Sequence, residues 1–320
     1  MMGGMRISVV IPTYKRLERL RGCLASMSRQ TCPRDQFEVI VIQDGRDWVL
    51  PDDILNKDYG IDLRFLTVEH GGCGPARNKG IEQAKYDVIA FVDDDCEASP
   101  DWVDQWARYF EGDPNKVAAG GIVNGAPPKT FVEKFICFKQ LLHKPSVGAD
   151  GEFIDLTTAN AAFTKSCLLD VGGFTNDYFF AGKAIGTEDV DLTYRVKRRF
   201  GNDRLGINYQ AVVVHNHRQS LRDLINQHIA YGKGAYVFCI KNDVPYSNLS
   251  LMPPTKLGLV RYCFYLLHRI FTKSVKSFKR DHLAFWLYLP YCYLDFVRKF
   301  SYMYGFYQMS FLYGKAKRTR

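Results

Sequence analysis

The chain has 320 residues, 47% of them hydrophobic, with 43 Lys+Arg against 34 Asp+Glu for a formal charge of +9. This apolar share supports a packed core and excludes an intrinsically disordered chain. Nine cysteines, an odd count with no Cys-x-x-Cys pair, fit a reduced compartment and disfavour a disulfide framework.

In chain order, Met5-Arg6 leads directly into an apolar strand at 6–12 with no signal-peptide h-region before it. A helical pattern follows to about residue 29. Residues 37–42 (Phe-Glu-Val-Ile-Val-Ile) form a second strand ending at Gln43-Asp44-Gly45, and a third falls at 61–68. A helix opens after Gly74-Pro75, where proline suits the first turn. Residues 87–92 form a fourth strand and stop at Asp93-Asp94-Asp95. A helix begins near Pro100, a strand lies at 117–123, a helix at 187–200 and a strand at 207–214. Apolar strands alternating with amphipathic helices predict an α/β architecture: a mostly parallel sheet flanked by helices, with a helical C-terminal region. The expected division is a catalytic domain over 1–218 and a helical, basic and aromatic region over 219–320. Parallel sheets hold ligands at the carboxyl ends of their strands, so Pro12-Thr13-Tyr14, Asp44 and Asp93–Asp95 should converge.

Asp93-Asp94-Asp95 is the sharpest chemical signal. Three consecutive carboxylates repel, and a fold tolerates them in solvent or beside a cation. Placed after a buried strand, they point to a hard divalent ion, Mn2+ or Mg2+, bridging the phosphates of a nucleotide. Arg77 sits at a helix N-terminus, a place that favours anions, so a phosphate clamp or a plain surface arginine are its two readings. Glu188 and Asp189 open the helix at 187–200. Acids favour first turns, but a carboxylate is also the group that could deprotonate an acceptor hydroxyl, and Asp189 is the preferred base with Glu188 second. His215 and His217 share a strand face. One of them, assigned as His215, is expected to complete the metal site of Asp95. Gly172-Gly173-Phe174 reads as a helix C-cap.

Taken together and in order, Val9-Val-Ile-Pro-Thr-Tyr-Lys-Arg16, Gln43-Asp-Gly45, Gly74-Pro-Ala-Arg-Asn-Lys-Gly80, Val92-Asp-Asp-Asp95, Gly172-Gly-Phe174 and Glu188-Asp-Val-Asp-Leu192 resemble the family 2 glycosyltransferases. The resemblance spans residues 5–217 and implies the GT-A fold. It implies that Pro12, Thr13, Tyr14 and Asp44 hold the nucleotide base, often uracil, and that Asp93 or Asp94 contacts the ribose. It implies that Asp95 binds the metal and that Asp189 is the base of an inverting single displacement. A UDP-sugar donor and a glycan or lipid-linked acceptor follow from it, as does a role in cell-surface polysaccharide or glycolipid synthesis. Gln219-Ser-Leu-Arg222 is followed by Asp223, so the Gln-x-x-Arg-Trp motif of processive synthases is incomplete and transfer of one sugar is expected.

The charge is concentrated at one end. Residues 256–320 hold 13 Lys+Arg and two acids, Asp281 and Asp295, for +11, while residues 1–255 sum to −2. Read as a helix, residues 257–285 place Leu257, Val260, Phe264, Leu267 and Phe271 on one face beside a basic flank. Residues 283–294 and 300–314 are aromatic-rich stretches too short to span a bilayer. The expectation is peripheral binding to an anionic membrane surface on its cytoplasmic face, with a packed helical subdomain or a contact between copies as the alternative. No nucleic-acid-binding motif occurs, and nucleic acid is not expected as a partner. A nucleotidyltransferase and a non-catalytic scaffold are the competing functions.

Overall fold

The computed structural model describes residues 4–245, 260–261, 264–265, 268 and 285–318. The helix expected over 257–285 therefore lies almost wholly outside the described residues. Two compact units emerge. The first comprises Met1–Pro127, Gln140–Ala184 and Glu188–His217; the second comprises Pro128–Lys139, Ile185–Thr187 and Arg218–Arg320.

The strands of the first unit are β1 (Ile7–Thr13), β2 (Phe37–Asp44), β3 (Asp62–Val68), β4 (Val88–Val92), β5 (Cys96–Ala98), β6 (Ala118–Gly125), β7 (Ser146–Val147), β8 (Phe153–Asp155), β9 (Asn160–Thr164), β10 (Phe179–Phe180), β11 (Lys183–Ala184) and β12 (Leu205–His215). Its helices are α1 (Leu17–Ser28), α2 (Asp52–Leu55), α3 (Cys73–Gln83), α4 (Trp102–Gly112), α6 (Lys165–Asp170) and α7 (Glu188–Phe200). Eight strands form one sheet in the order β3-β2-β1-β4-β9-β6-β12-β5. β1 pairs parallel with β2 and β4, β2 with β3, and β6 with β12. β9 enters antiparallel between β4 and β6, and β5 closes the far edge antiparallel to β12.

β1 and β2 are buried along their whole length, as a strand covered on both faces must be. Alternate residues serve opposite cores. Val9, Ile11, Val39 and Val41 join Leu20, Leu24, Trp102 and Trp106 on one side. Val10, Ile40 and Ile42 join Ala76, Ile81, Leu168 and Leu192 on the other. Gly80 lets α3 sit low on the sheet: a Cβ there would fall 2.3 Å from Val10 Cγ1. Between β4 and β6, the fully buried Asn160 accepts from Trp102 Nε1 at 2.9 Å and donates to the carbonyls of Ile122 and Ala211 at 2.9 and 2.8 Å.

The second unit holds α5 (Phe131–Lys139), α8 (Leu221–Asn242) and a last helix, α9 (Phe285–Arg318), which carries Pro290 inside it. α8 and α9 cross at two glycines. A Cβ on Gly232 would lie 1.8 Å from Tyr302 O, and one on Gly305 would lie 2.0 Å from Ile229 O. The ring of Tyr291 packs on Phe131, Phe135 and Phe138 of α5. On the other side of α9, Leu289, Tyr293, Phe300, Tyr304 and Phe311 are exposed. Their spacing of four and seven keeps them within about 60° of one another around the helix. No helix among the described residues is long and apolar enough to cross a membrane.

Candidate active site

β1, β2 and β4 are neighbours in the sheet, and their parallel carboxyl ends bring Thr13, Asp44 and Asp93–Asp95 to one edge. Thr13 Oγ1 donates to Asp94 Oδ2 at 2.8 Å, closing the gap between the first and fourth strands. Pro12 lies inside β1, buried, in register with Ile42.

The acidic corner is laced with arginines from the start of α1. Arg16 Nη1 donates to Asp94 Oδ1 at 3.0 Å and to Asp95 Oδ2 at 2.9 Å. Arg19 Nη1 reaches Asp95 Oδ2 at 2.9 Å and the carbonyl of Asn216 at 3.3 Å. The two carboxylates respond oppositely. Burial pushes the Asp94 carboxyl up to about 6 against the pull of Arg16. Burial acts the same way on Asp95, but His215, Arg16 and Arg19 outweigh it and hold that carboxyl below its usual range.

Asp95 Oδ1 is the distinctive atom. It is buried and makes no hydrogen bond, with His215 Nε2 3.3 Å away. His215 Nδ1 lies 2.9 Å from Nδ1 of His217, which orients the ring. Asp95, Cys96 and His215 present ligand atoms within 4.8 Å of one another. Burial pushes the Cys96 thiol well above its usual range, and a hard divalent ion prefers oxygen and imidazole nitrogen to sulfur. An oxygen and an imidazole nitrogen remain as protein donors. That set fits a divalent ion whose other positions are filled by phosphate and water, and it falls short of a closed zinc site.

Asp44 builds the second corner. Its Oδ2 meets His70 Nδ1 at 2.9 Å and accepts from Gly72 N at 3.0 Å, while Oδ1 accepts from Gly71 N at 2.8 Å. Gly72 has φ +86, and a side chain there would also press on Phe179. Tyr14 stacks on His70 with centroids 4.2 Å apart, and Trp48 stands edge-on to Tyr14 at 6.2 Å. Trp48 Nε1 donates to Asp44 O at 2.9 Å, which fixes this aromatic wall.

Arg77 is 2% exposed, and its position differs from an anion clamp open to solvent. Nη2 donates to Asp93 at 2.8 Å and Nη1 to Glu188 at 3.0 Å, with Cζ 5.4 Å from the ring centre of Phe174. Burial disfavours its charge, and Asp93 and Glu188 more than restore it. Phe174 is placed by Gly172 and Gly173, which end α6 with φ +75 and +64 as the sequence predicts. Asn78 secures the turn, donating to Phe174 O at 2.7 Å and accepting from Phe174 N at 2.8 Å.

Asp189 follows Glu188 at the start of α7, and its Oδ1 accepts from Val190 N at 2.9 Å. Burial pushes its pKa well up, Asp155 and Glu188 add to this, and Arg77 opposes. Thus two bonded sets meet at Asp93–Asp95: Thr13, Asp94, Asp95, Arg16 and Arg19 form one, with His215 close to Asp95, and Asp93, Arg77 and Glu188 form the other, with Asp189 next to Glu188 and Tyr14 and Asp44 building the neighbouring corner. Arg16, Arg19, His70 and Trp48 are the residues that motif reading leaves without a role. Arg16 lies within a quoted motif, and His70 directly precedes Gly71-Gly72.

An acidic corner at the carboxyl ends of a mostly parallel sheet, tied through Arg77 to the acidic first turn of α7, is the arrangement expected of a glycosyltransferase. The family described as glycosyl transferase family 2 matches residues 8–164. A glucosyl-dolichyl phosphate glucuronosyltransferase of Haloferax volcanii is 30% identical over 229 residues, which is 66% of this chain and 69% of that protein. A poly(ribitol-phosphate) beta-glucosyltransferase of Bacillus spizizenii is 30% identical over 215 residues, 61% of this chain and only 33% of that protein. In structure, a mannosyltransferase from Pyrobaculum calidifontis, in complex with GDP-Man and Mn2+, aligns over 95% of this chain and 87% of its own with a TM-score of 0.62 at 15% identity. The chain belongs to glycosyl transferase family 2 and has the GT-A fold.

Proposed function

We propose that the protein transfers one sugar, with inversion, from a UDP-sugar to a glycan or lipid-linked acceptor in the synthesis of a surface polysaccharide or glycolipid. The observation that carries this reading is Arg77, which ties Asp93 on the donor side to Glu188, next to Asp189 on the acceptor side.

Asp44 offers acceptor oxygens, and Tyr14 and His70 offer a flat wall, which suits a base bearing a ring N–H such as uracil. Asp93 is the most exposed of the three corner carboxylates and is assigned to the ribose, with Asp94 behind it, held by Thr13. Asp95 and His215 would hold Mn2+ or Mg2+, and the imidazole favours Mn2+. When bound, the ion supplies charge neutralisation to the departing diphosphate. Asp189 takes the proton of the acceptor hydroxyl as its oxygen attacks the anomeric carbon. Arg77 holds Glu188 and Asp93 at fixed separation, and the aromatic wall keeps water from the base pocket. The similar proteins' names suggest glucuronosyl transfer to a dolichyl-phosphate-linked sugar or glucosyl transfer to a poly(ribitol-phosphate).

The membrane reading draws on the +11 charge of residues 256–320 and on the exposed apolar stripe of α9. It places the protein on the cytoplasmic face of the membrane. Pelleting with anionic but not neutral vesicles is the expected result, and equal pelleting with both removes this part of the proposal.

A thermal-shift screen of UDP-, GDP- and dTDP-sugars with Mn2+, followed by product analysis, tests the function. Free nucleoside diphosphate is expected. Pyrophosphate would mean nucleotidyl transfer, and no ligand and no product would mean a scaffold.

A further inference from the structure

Helix α7 runs beside β8 and the residues that follow it. Lys197 Nζ meets Glu152 at 3.2 Å, and one turn nearer the helix start Thr193 Oγ1 accepts from Leu156 N at 3.2 Å. One further turn back along the same face is Asp189, four residues before Thr193. The first turn of α7, with Asp189, therefore lies by the end of β8, where Asp155 stands. Asp155 lies in no motif of the resemblance.

Asp155 is unusually held. Thr157 donates its N–H to Oδ1 at 2.7 Å and its Oγ1 hydroxyl to Oδ2 at 2.8 Å. Thr157 is buried and has φ +51, a left-handed conformation that a β-branched residue rarely adopts. The chain thus keeps an unfavourable backbone at a residue whose two donors go to one carboxylate. Among the described residues no lysine or arginine pairs with that carboxylate. A pinned, unneutralised carboxylate beside another is more than packing requires.

We propose that Asp155 is a positioning residue of the transfer reaction, a second carboxylate fixed opposite Asp189 that makes Asp189 a stronger proton acceptor. The inference rests on Asp189 being the base of the proposed transfer. The acceptor oxygen bonds to the anomeric carbon, and the bond from that carbon to the diphosphate oxygen breaks. Its electron pair leaves with the nucleoside diphosphate, and the hydroxyl proton goes to Asp189. A carboxylate that faces a second negative charge gains more from that proton than an isolated one does. Asp189 is faced by Asp155 from β8, Glu188 from its own helix and Arg77 from α3; the first two raise its proton affinity after burial, and Arg77 opposes. Asp155 is itself pushed up by burial and by Glu188, with its Thr157 bonds opposing.

The test needs no acceptor. The full chain labelled with [13Cγ]aspartate is titrated by NMR, and the Asp189 signal is identified by its loss in Asp189→Asn. In Asp155→Asn the Asp189 midpoint is expected to fall by about one unit or more. Thr157→Ala should move it the same way by less, and Thr157→Ser should leave it in place. An unmoved midpoint in folded Asp155→Asn overturns the proposal; should that variant not fold, an unmoved midpoint in Thr157→Ala does so. Nucleoside diphosphate release from UDP-glucose, GDP-mannose or dTDP-glucose, whichever the screen selects, supplies the second readout. The acid limb of its kcat/KM profile should shift to lower pH in Asp155→Asn with KM for the sugar nucleotide unchanged. If Asp189→Asn abolishes release while the midpoint stays fixed in Asp155→Asn, this inference alone falls. If Asp189→Asn releases product at the normal rate, the base assignment and this inference fall together.

Discussion

Arg77 donates one Nη to Asp93 at 2.8 Å and the other, across 111 positions of the chain, to Glu188 at 3.0 Å, through a side chain almost without solvent contact. Removing a buried bridging cation leaves two carboxylates facing each other. Arg77→Ala is expected to cost about 3–5 kcal/mol of stability and most of the activity. Arg77→Lys should fold better yet remain impaired, since one ammonium lacks the fork that spans both acids. Chemical denaturation and nucleoside diphosphate release measure the two effects separately.

The metal assignment predicts distinct losses at two residues. Asp95→Ala should abolish Mn2+ binding and all metal-stimulated turnover. His215→Gln should weaken Mn2+ binding by at least about 10-fold. Titration followed by electron paramagnetic resonance of free Mn2+ reads both directly. Full Mn2+ affinity in Asp95→Ala would show that the ion, if any, sits elsewhere.

Asn160 gives a stability prediction independent of function. Its side chain satisfies an indole N–H and two carbonyls in the middle of the sheet. Asn160→Leu removes all of these partners at once while filling similar volume. A loss of about 3 kcal/mol is expected, read as a shift in the denaturation midpoint. A neutral result would mean that water enters the sheet there.

His228 gives a pH prediction for the second unit. Burial and then Arg298 push its pKa down from 6.5 to about 4, while the Leu224 carbonyl and Asp295 oppose. Between those values the unfolded chain takes up a proton that the folded chain refuses. The stability tied to this residue is therefore full above pH 6.5 and is lost as pH falls toward 4, by up to about 3 kcal/mol. Denaturation of His228→Gln over that range should show a flatter slope than the parent chain.

Much of the first unit was legible because its parallel strands are continuous apolar runs and each ends in a polar motif. β1, β2, β4 and the helices α1 and α4 follow the sequence pattern closely. β9 was not legible: Asn160-Ala-Ala-Phe-Thr164 has two alanines and an asparagine where strands usually show branched residues, and its place between β4 and β6 is set by close packing and by Asn160. In the site, residue type and position revealed the acids, but the direction of long side chains stayed hidden. Arg16 turns to Asp94 across 78 residues, and no local spacing records that. The same holds for Arg77, whose place at a helix start reads as exposure although its face is turned to the sheet. The continuity of α9 across Pro290 was also hidden, because proline reads as a break until neighbouring packing is known.

The bare Cα of Gly80 has a reach beyond its own contacts. Any side chain there would strike Val10 and force α3 away from the strands, with Arg77 one turn earlier on the same helix carried along. The elevation of one helix is thus a tuning parameter for chemistry that occurs at another residue. On the proposed function, harm from a change at Gly80 would be read as slowed turnover, a defect easily mistaken for damage to the acids themselves.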